Sequence, residues 1–165
     1  MNKNCFEITR AGINTTFQDH GRKNLYHIGI PFSGAMDNRN YLLANKLVGN
    51  QSGLPVLEFA YQGPLLKFNG KEVKFAITGN VNFKIIRSKE IEIGECYRSY
   101  NLKDGDQIDI ISVLNSVYGY LAVEGGFQTD LSFGSSSTNT NARVGGNNGK
   151  KISNANQIIL NNKNS

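Results

Sequence analysis

Residues 73–123 read VKFAITGNVNFKIIRSKEIEIGECYRSYNLKDGDQIDIISVLNSVYGYLAV. Short runs of β-branched and aromatic residues alternate here with Gly, Asn, Asp and Ser, the pattern of strands cut by tight turns. The runs are Val73–Thr78, Val81–Arg87, Ile91–Ile93, Cys96–Tyr100, Gln107–Val113 and Tyr118–Val123. Ser88-Lys89 separates two of them as a compact hairpin turn. Upstream, Pro55–Ala60 and Leu65–Phe68 continue the series. So many short strands at regular spacing, with a single helix, predict a mainly-β fold built as a closed or partly closed barrel. Closure also removes the exposed edges that such a set of strands would otherwise present.

The helix belongs to residues 15–49, TTFQDHGRKNLYHIGIPFSGAMDNRNYLLANKLVG. Ser33 or Asp37 is a candidate N-cap, Asn38 to Val48 form the body, and Gly49-Asn50 is a stop signal. A glycine-containing loop feeding a helix start presents unpaired N–H groups and the positive end of the peptide dipoles. That combination suits an anion or a polarised carbonyl, with Ser33 and Gly34 at the loop. Asp19, His20 and Arg22 sit just upstream. They read either as an acid–base pair with an anion clamp or as a salt-bridged turn with His20 exposed.

A chain of 165 residues with 39% hydrophobic and 10% aromatic residues makes one folded domain. Nothing approaches the roughly 18 apolar residues of a membrane span, and the first dozen residues lack the apolar run of a secretory signal. A cytoplasmic protein is expected. The net charge of +5 invites a polyanion partner. The cations are scattered, however, and no aromatic-interleaved basic stripe occurs, so nucleic acid is not expected. Cys5, Cys96 and two histidines are too few and too dispersed for a disulfide framework or a metal site. The domain is assigned to residues 1–150, and residues 151–165 read as a polar, truncated or mobile C-terminal tail.

Two further stretches carry chemistry. Gly134-Ser135-Ser136-Ser137-Thr138-Asn139 is rich in hydroxyls after a glycine. It reads either as a flexible loop or as a donor-rich nest in which Ser135, Ser137 and Thr138 hold a phosphate or carboxylate. Almost no apolar residue follows until Ile158, so this segment is expected to be held by a ligand or neighbour, or to move. Glu58 is an acid inside a strand pattern, either at the barrel mouth meeting the helix loop or facing outward. No P-loop and no nucleophile elbow occur.

Gln18-Asp19-x-Gly21-Arg22, Gly29-x-Pro31-x-Ser33-Gly34-Ala35-Met36-Asp37, Leu43-Ala44-Asn45-x-Leu47-Val48-Gly49 and Tyr120-Leu121-Ala122-Val123-x-Gly125-Gly126 follow one another in order. Together they resemble the carboxyltransferase A/B family, which includes the C subunit of 5-oxoprolinase, KipA proteins and allophanate hydrolase subunit 2. The resemblance covers roughly residues 8 to 150. It implies a cyclophilin-like β-barrel half-domain corresponding to the N-terminal half of the family domain. It also implies ATP-dependent opening of a cyclic amide, as in a 5-oxoprolinase, or biotin-dependent carboxyl transfer. ATP would enter through the complex, and biotin by resemblance. The expected partners are a sister subunit like KipI or the B subunit of 5-oxoprolinase, a third 5-oxoprolinase subunit and a small carboxylate or amide substrate.

The implied catalytic carboxylates are Asp19, Asp37 and Glu58. Arg22, Ser33, Gly34, Ser135, Ser137 and Thr138 are the implied anion-binding set. Two departures stand out: Ser136 replaces a family Arg, and Asn139 a family Asp. A hydroxyl does not substitute for a guanidinium fork, and Asp to Asn removes a charge. The chain thus reads as a split or truncated copy with weakened activity. The alternative is a non-catalytic, KipA-like regulatory module that binds its sister subunit.

Overall fold

The computed structural model describes residues 3–161. Its elements are β1 (Cys5–Arg10), β2 (Thr16–Gln18), α1 (Asn38–Leu47), β3 (Val56–Ala60), β4 (Leu65–Asn69) and β5 (Glu72–Thr78). They continue with β6 (Val81–Ile86), β7 (Ile91–Ile93), β8 (Ser99–Lys103), β9 (Gln107–Val113), β10 (Tyr118–Val123) and β11 (Gln157–Ile159). The strands form two antiparallel sheets, β11-β1-β4-β9-β6-β7 and β2-β3-β10-β5-β8. The mainly-β fold with one principal helix is therefore as expected, and the barrel takes the form of two facing sheets.

One core lies between them. Phe6, Ile8, Leu66, Phe68, Phe83, Ile85, Ile108 and Ile110 from the first sheet are buried in one cluster with Leu57, Phe59, Phe75, Ile77, Leu102 and Leu121 from the second. The sheets differ in their outer faces. In β6 the core residues Val81, Phe83 and Ile85 alternate with the exposed or half-buried Asn82, Lys84 and Ile86, the period-two pattern of a sheet with one wet face. The second sheet is covered on its other face by α1. There Tyr41, Ala44 and Val48 pack on Val56, Ala76, Tyr120 and Ala122. All five residues of β3 are accordingly buried. Burial on both faces is why β3 and β10 read as nearly continuous apolar runs.

Turn chemistry fixes the strand ends. Arg87 N–H donates to the Glu90 carbonyl at 2.9 Å and closes the Ser88-Lys89 hairpin between β6 and β7. Arg87 then clamps the far end of the same region, with Nη1 2.7 Å from Asp106 Oδ2 and Nη2 3.1 Å from Glu92 Oε2. The strand expected at Cys96–Tyr100 lies three residues later. Tyr97 adopts a left-handed backbone, φ 63°, which an extended strand cannot pass through, and its N–H bonds to the Ile77 carbonyl.

The expected tail needs correction over its described part. β11 pairs with β1, placing Phe6 opposite Ile158, and the Leu160 N–H donates to the Asn4 carbonyl. Ile152, Ile158 and Leu160 are all buried in the main core. These three apolar anchors are enough to order a segment that is otherwise polar. The packed body therefore runs to Asn161 and is not bounded at residue 150; residues 162–165 lie outside the described residues.

Deleting residues 151–165 is expected to remove about 5 kcal/mol or more of stability, since each buried aliphatic side chain contributes about 1.5–3 kcal/mol. Urea denaturation followed by circular dichroism measures this. An unchanged midpoint would contradict the role assigned to the three anchors. Ile158→Ala alone is expected to cost about 2–5 kcal/mol.

Candidate functional site

The loop that enters α1 is locked to the turn at residues 19–22. Ala35 N–H donates to the Asp19 carbonyl at 3.1 Å, and Arg22 N–H to the Phe32 carbonyl at 2.8 Å. Gly21 lies at φ 78°, and a Cβ there would meet the Phe32 and Ser33 carbonyl oxygens at 2.7 Å, so only glycine permits this approach. Asp37 is the N-cap: Oδ1 accepts from Asn40 N–H at 3.0 Å and Oδ2 from the Asn40 amide at 2.6 Å. Ser33, the other candidate cap, is instead held at φ 57°, an uncommon conformation for a non-glycine residue and a place to look for function.

Asp19 is the hub of the region. Its Oδ1 accepts from the Ser135 hydroxyl at 2.6 Å, the Ser137 hydroxyl at 2.7 Å and Gly21 N–H at 2.8 Å, and its Oδ2 from Ser136 N–H at 2.6 Å. Arg22 grips the same loop by its carbonyls: Nε donates to Ser132, and Nη2 to Ser135 and, at 2.7 Å, Ser137. Among the described residues no ion pair joins Asp19 to Arg22, so the salt-bridged turn is corrected. Carboxylate and guanidinium instead take opposite poles of one backbone loop. Burial lowers the Arg22 pKa, and the nearby Asp19 charge works against that shift.

The expected hydroxyl nest also needs correction. Ser135, Ser137 and Thr138 are 1%, 0% and 5% exposed. Two of the hydroxyls serve Asp19, and Thr138 Oγ1 donates to the Gly146 carbonyl at 3.0 Å. They face the protein rather than a ligand. Thr138 N–H donates to the Phe17 carbonyl, so the protein itself supplies the neighbour that the Ser-rich loop required. Ser136, at the position of the family Arg, is buried with its Oγ accepting from Thr129 Oγ1 at 2.6 Å.

Glu58 meets the helix loop from beneath. Its Oε2 accepts from Met36 N–H and from the Tyr120 hydroxyl, both at 2.8 Å. The Tyr120 oxygen in turn accepts from Asp37 N–H at 2.7 Å. Two of the N–H groups at the helix entrance are thus already satisfied from inside the protein. Burial raises the Glu58 pKa, opposed by the Met36 and Tyr120 hydrogen bonds and reinforced by Asp37. Burial raises that of Tyr120 as well, and Glu58 adds to it. Tyr120 had no assigned role in the sequence reading. The available signal was a polar-tipped aromatic in an apolar run, which the register sets directly opposite Glu58.

At the surface, the two loops touch through Ser33 and Asn139. The Asn139 amide donates to Ser33 Oγ at 3.2 Å, while Asn139 Oδ1 accepts from Ala142 N–H at 2.9 Å. Ser33 Oγ accepts here, so its own proton is not used in this contact. Phe32, Met36, Leu131 and Phe133 are exposed on the same loops. His20 is exposed, with its ring 2.7 Å from the Ser52 hydroxyl and edge-on to Tyr41. Burial, then the Asp19 charge, pushes the Tyr41 pKa up to about 12. No cluster of three metal-ligating side chains occurs among the described residues. None of their helices is long and apolar enough to cross a membrane.

The profile of the carboxyltransferase domain, subdomain A and B, matches residues 28–165. The chain belongs to this family. It is 33% identical to the urea amidolyase of Lachancea kluyveri over 95% of its own length and 8% of that protein. It is 31% identical to the C subunit of 5-oxoprolinase from Haemophilus influenzae over 87% of its length and 45% of that protein. The crystal structure of the Kluyveromyces lactis urea amidolyase superimposes with a TM-score of 0.90 at 32% identity, covering 98% of this chain and 10% of that one. The chain thus spans less than half the length of these curated relatives.

The Asp19 hub predicts a graded response. Asp19→Ala leaves several buried donors without an acceptor and is expected to cost about 3 kcal/mol or more, as for loss of one member of a buried polar set. Asp37→Ala, the loss of a cap, is expected to cost only about 1 kcal/mol. Urea midpoints for the two variants test the ordering, and equal losses would refute it. Glu58 has its folded pKa raised, so its protonated form favours folding below the ordinary carboxylate value. That contribution fades as pH rises from about 4.5 through the raised value. Glu58→Gln keeps an acceptor and carries no charge. Melting temperatures across that window should fall in the wild type relative to Glu58→Gln; parallel profiles would contradict this.

Proposed function

We propose that this chain supplies one subdomain of a carboxyltransferase-family unit that binds a small carboxylate or amide substrate at Ser33 and Asn139. The observation that supports the reading most is the contact between those two side chains, the point where the helix-entrance loop and the Ser-rich loop meet at the surface. A hydroxyl and a carboxamide are neutral donors, suited to the oxygen of a carbonyl or carboxylate as charge builds on it. Asp19, Asp37 and Glu58 are then positioning residues: each already accepts hydrogen bonds from the loops it holds. Arg22 and the hydroxyls of Ser135, Ser137 and Thr138 belong to the same support, and Gly34 to the loop that sets Ser33.

By family relation the reaction is cyclic-amide hydrolysis of the 5-oxoprolinase type or carboxyl transfer. It is weakened here by the neutral residues at positions 136 and 139. The partners are a sister subunit like KipI or the B subunit of 5-oxoprolinase, together with a third subunit. Biotin, where it is the carrier, supplies the carboxyl group to be transferred, and Ser33 and Asn139 are the residues that would face it. Their neutral donor set does not fit a triphosphate, so ATP is engaged elsewhere in the assembly.

The test is ATP-dependent 5-oxoproline hydrolysis with this chain and both partner subunits. Ser33→Ala and Asn139→Ala are each expected to lower kcat by about 100- to 1,000-fold with the fold retained, the range for losing a donor to a developing oxyanion. Unchanged rates would remove the assignment. A second reading, a non-catalytic KipA-like module, is favoured by the exposed Phe32, Met36, Leu131 and Phe133 beside the site. Under that reading co-purification with the sister subunit survives Ser33→Ala and is lost in Met36→Asp/Phe133→Asp, with no hydrolysis in any combination.

A further inference from the structure

From Leu131 to the end of the sequence there is no Asp or Glu, while Arg143, Lys150, Lys151 and Lys163 add four positive charges. The fold gathers the first three around one concave feature. A groove of about 870 Å³ is lined by Arg143, Lys150 and Lys151, and its remaining walls are the polar Asn14, Thr140, Ser153 and neighbouring asparagines. No acid and no aromatic ring lines it. Asp130 lines a separate cleft that shares Asn147 and Asn156 with it.

The three cations are available. Arg143, Lys150 and Lys151 are exposed, and none of the five ion pairs among the described residues uses them. The frame that carries them is tied down. Asn147 Nδ2 donates to the Lys150 and Lys151 carbonyls at 3.2 and 3.1 Å, and Asn156 Oδ1 accepts from Ser153 N–H at 2.8 Å. Asn147 and Asn148 are both left-handed, and a Cβ on Gly149 would collide with the backbone of Arg143 and Val144. The turn between Arg143 and Lys150 is thus fixed, and three like charges are held around one opening. Holding like charges together without a counterion costs energy, and a multivalent anion relieves that cost.

We propose that this groove binds a small phosphate-bearing anion carrying several negative charges. Its volume lies in the range of small-ligand sites. With no aromatic lining, recognition rests on phosphate charge and on amide hydrogen bonds, not on stacking. The groove includes Thr140, directly after Asn139, but its binding does not depend on the catalytic reading.

The probe is sodium tripolyphosphate, titrated into the isolated chain at physiological ionic strength, with backbone amide shifts as readout. Saturable shifts confined to residues 140–156 are expected. Affinity should fall at least tenfold in Arg143→Ala/Lys150→Ala/Lys151→Ala and stay unchanged in Lys67→Ala/Lys71→Ala/Lys89→Ala, which removes equal charge elsewhere. ATP is titrated in parallel: equal affinity identifies a free phosphate chain, and tighter binding through the same residues a nucleotide-borne one, both within the proposal. Absent or dispersed shifts, equal weakening by the control triple, or tighter binding of a polyglutamate peptide would overturn it. The experiment involves no turnover, so failure of the hydrolysis assay leaves its outcome intact.

Discussion

The site region depends on one buried carboxylate. Asp19 accepts from two hydroxyls and two backbone N–H groups, and its own N–H donates to Ser137 Oγ at 3.0 Å. A buried carboxylate is tolerable only when its lone pairs are satisfied, and here three of the four donors come from a loop with almost no apolar content of its own. Each side therefore solves the other's problem: the loop solvates Asp19, and Asp19 gives the loop a reason to be ordered. Arg22 completes the arrangement through carbonyls, so charge balance is achieved across the backbone and not by direct contact. One Arg22 nitrogen, Nη1, is buried with no hydrogen-bond partner, consistent with burial lowering its pKa.

Much of the fold was legible because local chemistry and tertiary environment agree. The hairpin at Ser88-Lys89, the helix from Asn38, and the strands β3, β4, β5, β6, β7, β9 and β10 follow from β-branched runs and turn residues. Those that escaped are short or depend on distant partners. Gln157–Ile159 is a strand because β1 lies beside it, and Thr16–Gln18 because β3 does. Tyr97 displaced a strand through a backbone conformation that its residue type does not advertise.

The resemblance grouped residues of the two loops but did not give the direction of their side chains. Asp19, Arg22, Ser135 and Ser137 lie together in the structure, as parts of one internal hydrogen-bond network. Which way a hydroxyl points is decided by the strongest buried acceptor nearby, and sequence does not reveal that Asp19 lies within reach of residues 116 to 118 positions away. Glu58 stood open between the helix loop and the outer face, and that choice, like its link to Tyr120, needed the strand register. Ser33 and Asn139 gain weight only from the contact between them.

The distance along the chain between Asp19 and its serines also sets a timetable. A ribosome adds residues from the N-terminus, so Asp19 emerges well before the distant groups that solvate it. β1 similarly waits for β11 to cover its edge. β3 and β4 wait for β10 and β9, whereas β6 and β7, neighbours in both the chain and the sheet, can pair as they appear. The Asp19 region, by contrast, closes only once nearly the whole described chain is available, which makes it a late-forming part of the molecule during synthesis.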